Sequence, residues 1–337
     1  MPTHGADSTA ADSLRPAGEA CERFAAGLEA LWPEGARDAG ARLAIAVSGG
    51  PDSMALLLLA AASLPGRIVA ATVDHGLRSE SKAEAEMVAR LCDRLDVAHS
   101  TMKVEVSPGN LQSQARHARY AALADWMSGA GAAALATAHH ADDQAETLML
   151  RLNRGSGVAG LAGVRARGAV PGTRLPLLRP VLDWRREDLQ NVVATAGVAC
   201  ADDPSNRDER FDRARIRNRL TGADWLDARA IAASASHLAE ADEALDWAAA
   251  REWAEAVREV PGGLSYRPLA PRAVRLRVLA AMIEQVGGEI ARGGQIAALH
   301  DALEGGSPAS LGECVGRPQA GVWSIARAPR RSTRTKP

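Results

Sequence analysis

The amino-acid sequence predicts an α/β fold, a doubly wound parallel sheet, followed by a mainly helical C-terminal domain. Short apolar runs at 43–47, 67–73 and 133–137, with a short strand around 98–104, alternate with helical patterns at 54–62, 81–95 and 112–127. That alternation is the mark of repeated strand–helix units around a parallel sheet. The runs are nearly continuous in apolar residues, as expected of strands covered on both faces. From Trp225 the composition turns alanine-rich, with helical patterns at 228–258, 271–286 and 294–303, and short helices joined by turns make a small bundle.

Taken in order, residues 1–20 are rich in Ala, Ser, Thr and Asp and are expected to be disordered. Phe24, Leu28 and Leu31 then recur at helical spacing. Leu43-Ala-Ile-Ala-Val47 reads as the first strand, and Ser48-Gly49-Gly50-Pro51-Asp52-Ser53 breaks it sharply before an apolar helix. A strand, a glycine turn and a helix N-terminus together form an anion site, because backbone N–H groups and the helix dipole both favour a phosphate. At this turn neither the Gly-Lys-Ser/Thr pattern nor G-x-G-x-x-G is present. Two glycines alone would require only a strand-to-helix turn; the full hexapeptide in this setting favours a nucleotide.

The second strand ends in Asp74-His75-Gly76-Leu77-Arg78, at the strand end where doubly wound sheets hold ligands, although a lone histidine there is more often merely solvated. Met87, Val88, Leu91 and Leu95 give the next helix one apolar face. Arg116, Arg119 and Tyr120 fall within one turn of the 112–127 helix and share a face, which taken alone is a solvated basic surface. The strand at 133–137 runs directly into AHHADDQAET, 138–147. Asp142 and Asp143 suit a helix start electrostatically. The spacing of His139, Asp143 and Glu146 predicts that all three point towards the strand ends where Ser48 to Ser53 also sits. Carboxylates clustered there bind a metal ion or an amine. The glycines between Gly155 and Gly163 mark a loop whose backbone approaches something closely, and Arg213, Arg215, Arg217 and Arg219 form a basic run.

At 337 residues the chain has room for two domains, and its net charge of −1 argues neither for nor against an RNA partner. Cys21, Cys92, Cys200 and Cys314 are far apart with no C-x-x-C, which disfavours a zinc ribbon, an iron–sulfur cluster or a disulfide scaffold. No apolar run reaches membrane-spanning length and the N-terminus has no signal-peptide pattern, so a cytoplasmic protein with no membrane partner is expected. The tail, 327–337, carries five cations and no acid, and is expected to be a solvated end or an RNA contact. The expected division is a disordered segment at 1–20, an α/β domain at 21–222, a helical domain at 223–326 and the basic tail.

The motifs together resemble a known family. S-G-G-x-D-S resembles the PP-loop of ATP pyrophosphatases, of the adenine nucleotide alpha hydrolase-like type, which split ATP between its α and β phosphates. H-x-x-x-D-x-x-E-T resembles the branch that modifies tRNA. RGSGVAGLAG, the RPVL…RRE segment and DDPSN with the arginine run after it are similar to segments of tRNA(Ile)-lysidine synthases, with Ala214 standing where an Asn is expected. The resemblance covers residues 40–220. It implies an ATP-dependent carbon–nitrogen ligase joining free L-lysine to C2 of the wobble cytidine (position 34) of the CAU-anticodon tRNA(Ile), giving lysidine, AMP and pyrophosphate. ATP would lie on Ser48, Gly49, Gly50, Pro51, Asp52 and Ser53 with His75 nearby, and Mg²⁺ on Asp52 and Asp143, with Asp142 the rival for Asp143. Asp52, Arg119, His139, Asp143 and Glu146 would carry the chemistry. A lysine ammonium, with a pKa of about 10.4, must lose a proton before it attacks, and His139, Asp143 and Glu146 are the expected acceptors. A homodimer is left open as an assembly. The main rival is a PP-loop tRNA thiolation enzyme, against which stands the lack of a cysteine pair; a small-molecule ligase and a non-catalytic nucleotide- or RNA-binding module are the others.

Overall fold

The computed structural model describes residues 14–74, 81–104, 111–202, 212–287 and 293–328. His75, the DPSN segment at 203–206 and nearly all of the basic tail therefore lie outside the described residues. The chain forms two compact units, Met1–Ala239 and Glu240–Pro337.

In the first unit, β1 (Arg42–Ala46), β2 (Ile68–Asp74), β3 (Ala98–Lys103), β4 (Ala132–Ala136), β5 (Arg167–Ala169) and β6 (Pro176–Leu178) form a sheet in the order β3-β2-β1-β4-β6-β5. Every neighbouring pair is parallel except β5 and β6. Successive strand side chains face opposite ways, and this sorts the core into two layers. Leu43, Ile45 and Val47 join Met54 to Leu59, Phe24, Leu28 and Leu189 on one face. Ala44 and Ala71 join Tyr120, Leu123, Met127 and Leu135 on the other. The helix Pro51–Ser63 is buried from Ser53 through Ala60, and each fully buried leucine contributes about 1.5–3 kcal/mol. That burial anchors the turn before it. The expected disorder of 1–20 ends early within the described residues, because Leu14 is buried in the first core layer and the helix Gly18–Leu31 begins inside that stretch.

β2 and β3 lie on one side of β1 and β4 lies on the other. The strand order reverses between β1 and β4, and a crevice opens at their carboxyl ends. Both motif-bearing loops leave from those two ends.

The second unit carries the expected helices, Arg272–Gly287 and Gly293–Glu304, and more sheet than the sequence pattern suggested. A strand pair is present as β10 (Cys314–Gln319) and β11 (Val322–Arg327). It belongs to a five-stranded antiparallel sheet with β7 (Val257–Val260), β8 (Gly263–Tyr266) and β9 (Ala309–Leu311), in the order β7-β8-β11-β10-β9. Tyr266, Leu279, Met282, Leu299, Trp323 and Ile325 form its core. The β7–β8 hairpin turns on Pro261 and Gly262, the latter at φ +82°, and a proline followed by a positive-φ glycine is a tight-turn signal. Each strand has only four residues, too few for a period-of-two pattern to stand out beside the long helix Ala228–Ala256.

Candidate active site

The hexapeptide turn is closed by its own last residue. Ser53 Oγ accepts the Ser48 backbone N–H at 3.1 Å and donates to the Gly50 carbonyl at 3.0 Å. Gly49 sits at φ +86°, a conformation glycine adopts without the steric cost other residues meet. Its carbonyl accepts the Ala201 N–H at 2.9 Å, so the segment after the helix Arg186–Thr195 closes against the turn. Pro51 takes the first helical position, where a missing N–H costs nothing. The result is a closed turn from Ser48 to Ser53 at a helix N-terminus, with Asp52 in the first turn of the helix.

From the neighbouring strand end comes His140, which precedes the helix Ala141–Asn153 and is 1% exposed. Its ring reaches three carboxylates. Nε2 lies 3.4 Å from Asp52 and 3.6 Å from Asp143, and Nδ1 lies 3.5 Å from Asp142. Burial opposes a charge on this ring, but Asp142, Asp52 and Asp143 outweigh it and lift its pKa to about 9. Asp142 is itself half-committed to structure. It accepts the Arg186 N–H at 2.8 Å and pairs with Arg185 at 3.3 Å, and despite burial these contacts and His140 hold it below the usual carboxylate range. Asp143 accepts the His140 backbone N–H at 3.2 Å.

His139 faces a different company. Its Nδ1 pairs with Thr137 Oγ1 at 3.0 Å. Burial, followed by the positive fields of Arg179, Arg116, Arg119 and Arg213, drives its pKa down to about 3, so the ring stays neutral. Arg116 and Arg119 stand 5.0 and 5.2 Å from the ring centre of buried Tyr120. Arg179 is buried at the end of β6, and its Nε has no hydrogen bond. Four guanidinium groups set this neutral histidine in a positive field, which favours an anion.

Glu146 is paired with arginines, one of which, Arg217, also lies in the field of Asp143 and Asp52. Glu146 is buried, and Arg217 donates to both of its oxygens, Nε at 2.6 Å and Nη2 at 3.2 Å, while Arg186 adds a contact at 3.4 Å. Asp143 thus has His140 as its neighbour, and Glu146 has Arg217 and Arg186. The helix begins only at Ala141, so helical spacing does not extend back to His139, and Asp143 meets His140 instead. The basic run also divides. Arg217 braces Glu146, Arg213 reaches Thr147 at 3.1 Å, and Arg215 pairs with Asp212. The glycine loop approaches Gln144, whose amide exchanges two hydrogen bonds with Val164, at 2.7 and 2.8 Å. A Cβ on Gly163 would fall 2.4 Å from the Gln144 oxygen. Sequence reasoning missed His140, Arg179 and Arg186; the available signal for His140 was its place three residues before Asp143, at the edge of a helix.

The residues fit a divalent cation. Asp52 Oδ1 is buried without a hydrogen bond, and Asp52 and Asp143 offer the hard oxygen donors Mg²⁺ takes, usually one or two carboxylates beside substrate phosphates.

Comparison with known proteins agrees with this geometry. Residues 22–223 match the PP-loop domain family. The tRNA(Ile)-lysidine synthase of Novosphingobium aromaticivorans is 46% identical over 94% of this chain and 97% of its own. That of Zymomonas mobilis is 40% identical over 86% of this chain and 89% of its own. A solved structure, the U34-tRNA thiolase NcsA from Methanococcus maripaludis with its [4Fe-4S] cluster, matches with a TM-score of 0.54 at 13% identity, covering 65% of this chain and 77% of that one; it shares the fold alone. With a PP-loop domain over most of its first unit and relatives alike along nearly its whole length, the chain belongs to the tRNA(Ile)-lysidine synthase family.

Proposed function

We propose that the protein joins the ε-amine of free lysine to C2 of the wobble cytidine of the CAU-anticodon isoleucine tRNA, in the cytoplasm, at the expense of ATP. The observation that supports this most directly is the meeting of the Ser48–Ser53 turn and the Ala141–Asn153 helix start at the crevice between β1 and β4. In the first step the cytidine O2 attacks the α-phosphorus of ATP and expels pyrophosphate. In the second the amine, having lost its proton, attacks C2 and expels AMP. The turn and the helix N-terminus receive the pyrophosphate part. Asp52 and Asp143 would hold Mg²⁺, which offsets charge on the phosphates when bound. Arg119, with Arg116, Arg179 and Arg213, supplies the positive field for the phosphate carried by the activated base. His139 sits among them as an uncharged ring that orients by hydrogen bonding. Asp143 is the carboxylate placed to meet the lysine ammonium and take its proton; Glu146 is committed to Arg217 and Arg186. No helix among the described residues is long and apolar enough to cross a membrane.

Purified protein incubated with ATP, Mg²⁺, labelled lysine and bulk tRNA tests this. Label in isoleucine tRNA, matched by release of pyrophosphate and AMP, is the expected result. Pyrophosphate release that depends on a sulfur donor, with no lysine incorporated, would favour thiolation instead.

A further inference from the structure

His140 has no part in the two steps above, yet two strand ends meet on its ring. Nε2 stands between Asp52, on the helix after β1, and Asp143, in the first turn of the helix after β4, at 3.4 and 3.6 Å. Nδ1 faces Asp142 at 3.5 Å, and Asp142 is fixed from behind by the Arg186 N–H. Neither ring nitrogen makes a hydrogen bond of ordinary geometry, although the side chain is almost wholly buried. A histidine that merely filled space would be expected to satisfy its nitrogens, because burying them unpaired is costly. Here both nitrogens are given over to carboxylates instead. We infer that His140 is a positioning residue that sets the separation of the Asp52 and Asp143 carboxylates, and thereby shapes the divalent-cation seat, without itself touching ATP, RNA or amine. The inference rests on the proposed function for the identity of the reaction, but not for the existence of the seat. With the ring gone, two like charges face each other with nothing between them and are no longer held at one spacing.

The test uses full-length wild type, His140→Ala and His140→Asn, with folding checked by circular dichroism and thermal unfolding. Mn²⁺ alone is the probe, its binding read by electron paramagnetic resonance. Loss of an outer partner of a metal ligand typically weakens metal affinity about 10–100-fold, and that is the expectation for His140→Ala. His140→Asn, which keeps a short polar group, should recover part of it. In parallel, the Mg²⁺ concentration that half-activates pyrophosphate release should rise, with excess Mg²⁺ restoring the rate and the lysine KM unchanged. A purely structural role would not produce that pattern. Unchanged Mn²⁺ affinity in a folded variant, a lost rate that Mg²⁺ does not restore, no Mn²⁺ binding by wild type, or failure of both variants to fold would each overturn the inference. Wild-type protein that binds Mn²⁺ but releases no pyrophosphate would instead overturn the proposed function and leave the Mn²⁺ comparison to judge His140.

Discussion

His139 and His140 stand side by side in the chain and in opposite electrostatic settings. Burial, followed by four arginines, pushes the first down to a pKa of about 3, and three carboxylates outweigh burial and lift the second to about 9. The difference follows from backbone form. His140 is extended, at φ −132° and ψ 178°, and extended residues send successive side chains to opposite sides. One dipeptide thus divides the crevice. Its acidic side is built from the starts of two helices that follow parallel strands. Its basic side gathers Arg116 and Arg119 from the helix Leu111–Ala130, Arg179 from the end of β6 and Arg213 from the helix Asp212–Thr221. The lesson is that charge here is sorted by strand-end geometry, so a cation and an anionic phosphate can be held within one small site.

The contrast can be broken most severely on the acidic side. Asp52→Ala removes a carboxylate aimed at developing charge, and pyrophosphate release should fall on the order of 10²–10³-fold. The side chain is 32% exposed, so the thermal midpoint should stay close to wild type. A folded variant with near-normal turnover would remove Asp52 from the chemistry.

Glu146 sharpens the contrast, because it is acidic but belongs to the bracing. Glu146→Ala leaves Arg217 and Arg186 facing a buried gap. Breaking a buried pair costs roughly 3–5 kcal/mol; since the arginine side chains remain 24% and 27% exposed, the low end near 3 kcal/mol is expected. Thermal unfolding should show a larger loss for Glu146→Ala than for Asp52→Ala, and Glu146→Gln should lie between. If the order is reversed, Glu146 is part of the reacting group after all.

His139 gives a smaller effect with a defined sign. Its folded pKa lies below the unfolded value of about 6.5, so the unfolded chain binds a proton that the folded chain refuses until the pH nears 3. Stability contributed by the neutral ring is therefore present above pH 6.5 and declines as the pH falls towards 3. Denaturant midpoints for His139→Asn should fall less steeply than wild type between pH 6.5 and 4. Equal slopes would mean the arginines do not press on this ring.

The smallest expected effect is none. Cys21, Cys92, Cys200 and Cys314 are all free, and replacing them with Ser or Ala should leave lysine transfer intact. The buried Cys92 and Cys314 are the positions where some stability would be lost. Loss of turnover in a stable cysteine-free protein would return attention to sulfur transfer.

What could be read in the sequence was local. The strand, the Gly49-Gly50 turn and the helix after it are contiguous, so one segment carried both the fold class and the phosphate site. The alternation of strands and helices gave the sheet order's essential feature, parallel pairing. Pairings between distant segments were hidden. Nothing near Glu146 announces that Arg217 will take its charge, and nothing near Gly163 announces Gln144. Helical spacing could not place His139, because the helix begins only at Ala141. The β7–β8 hairpin was lost because four-residue strands leave little periodicity to detect.

The place of β1 in the sheet also bears on how the protein is made. β1 lies between β2 and β4, and β6 then extends β4. A chain leaving the ribosome can pair β2 with β1 and with β3 early, but the other edge of β1 stays open until 132–136 have emerged. Through that interval Ala44 and Ile45, buried in the finished fold, lack their partners on that edge. Later still, Glu146 must wait for Arg217. The nascent chain therefore carries an open apolar strand edge and then an uncompensated acid through much of its synthesis, the exposure that draws chaperones and invites aggregation when translation stalls. Slowing translation before 132–136 have emerged should lengthen that exposure, whereas slowing it after Arg217 has emerged should not.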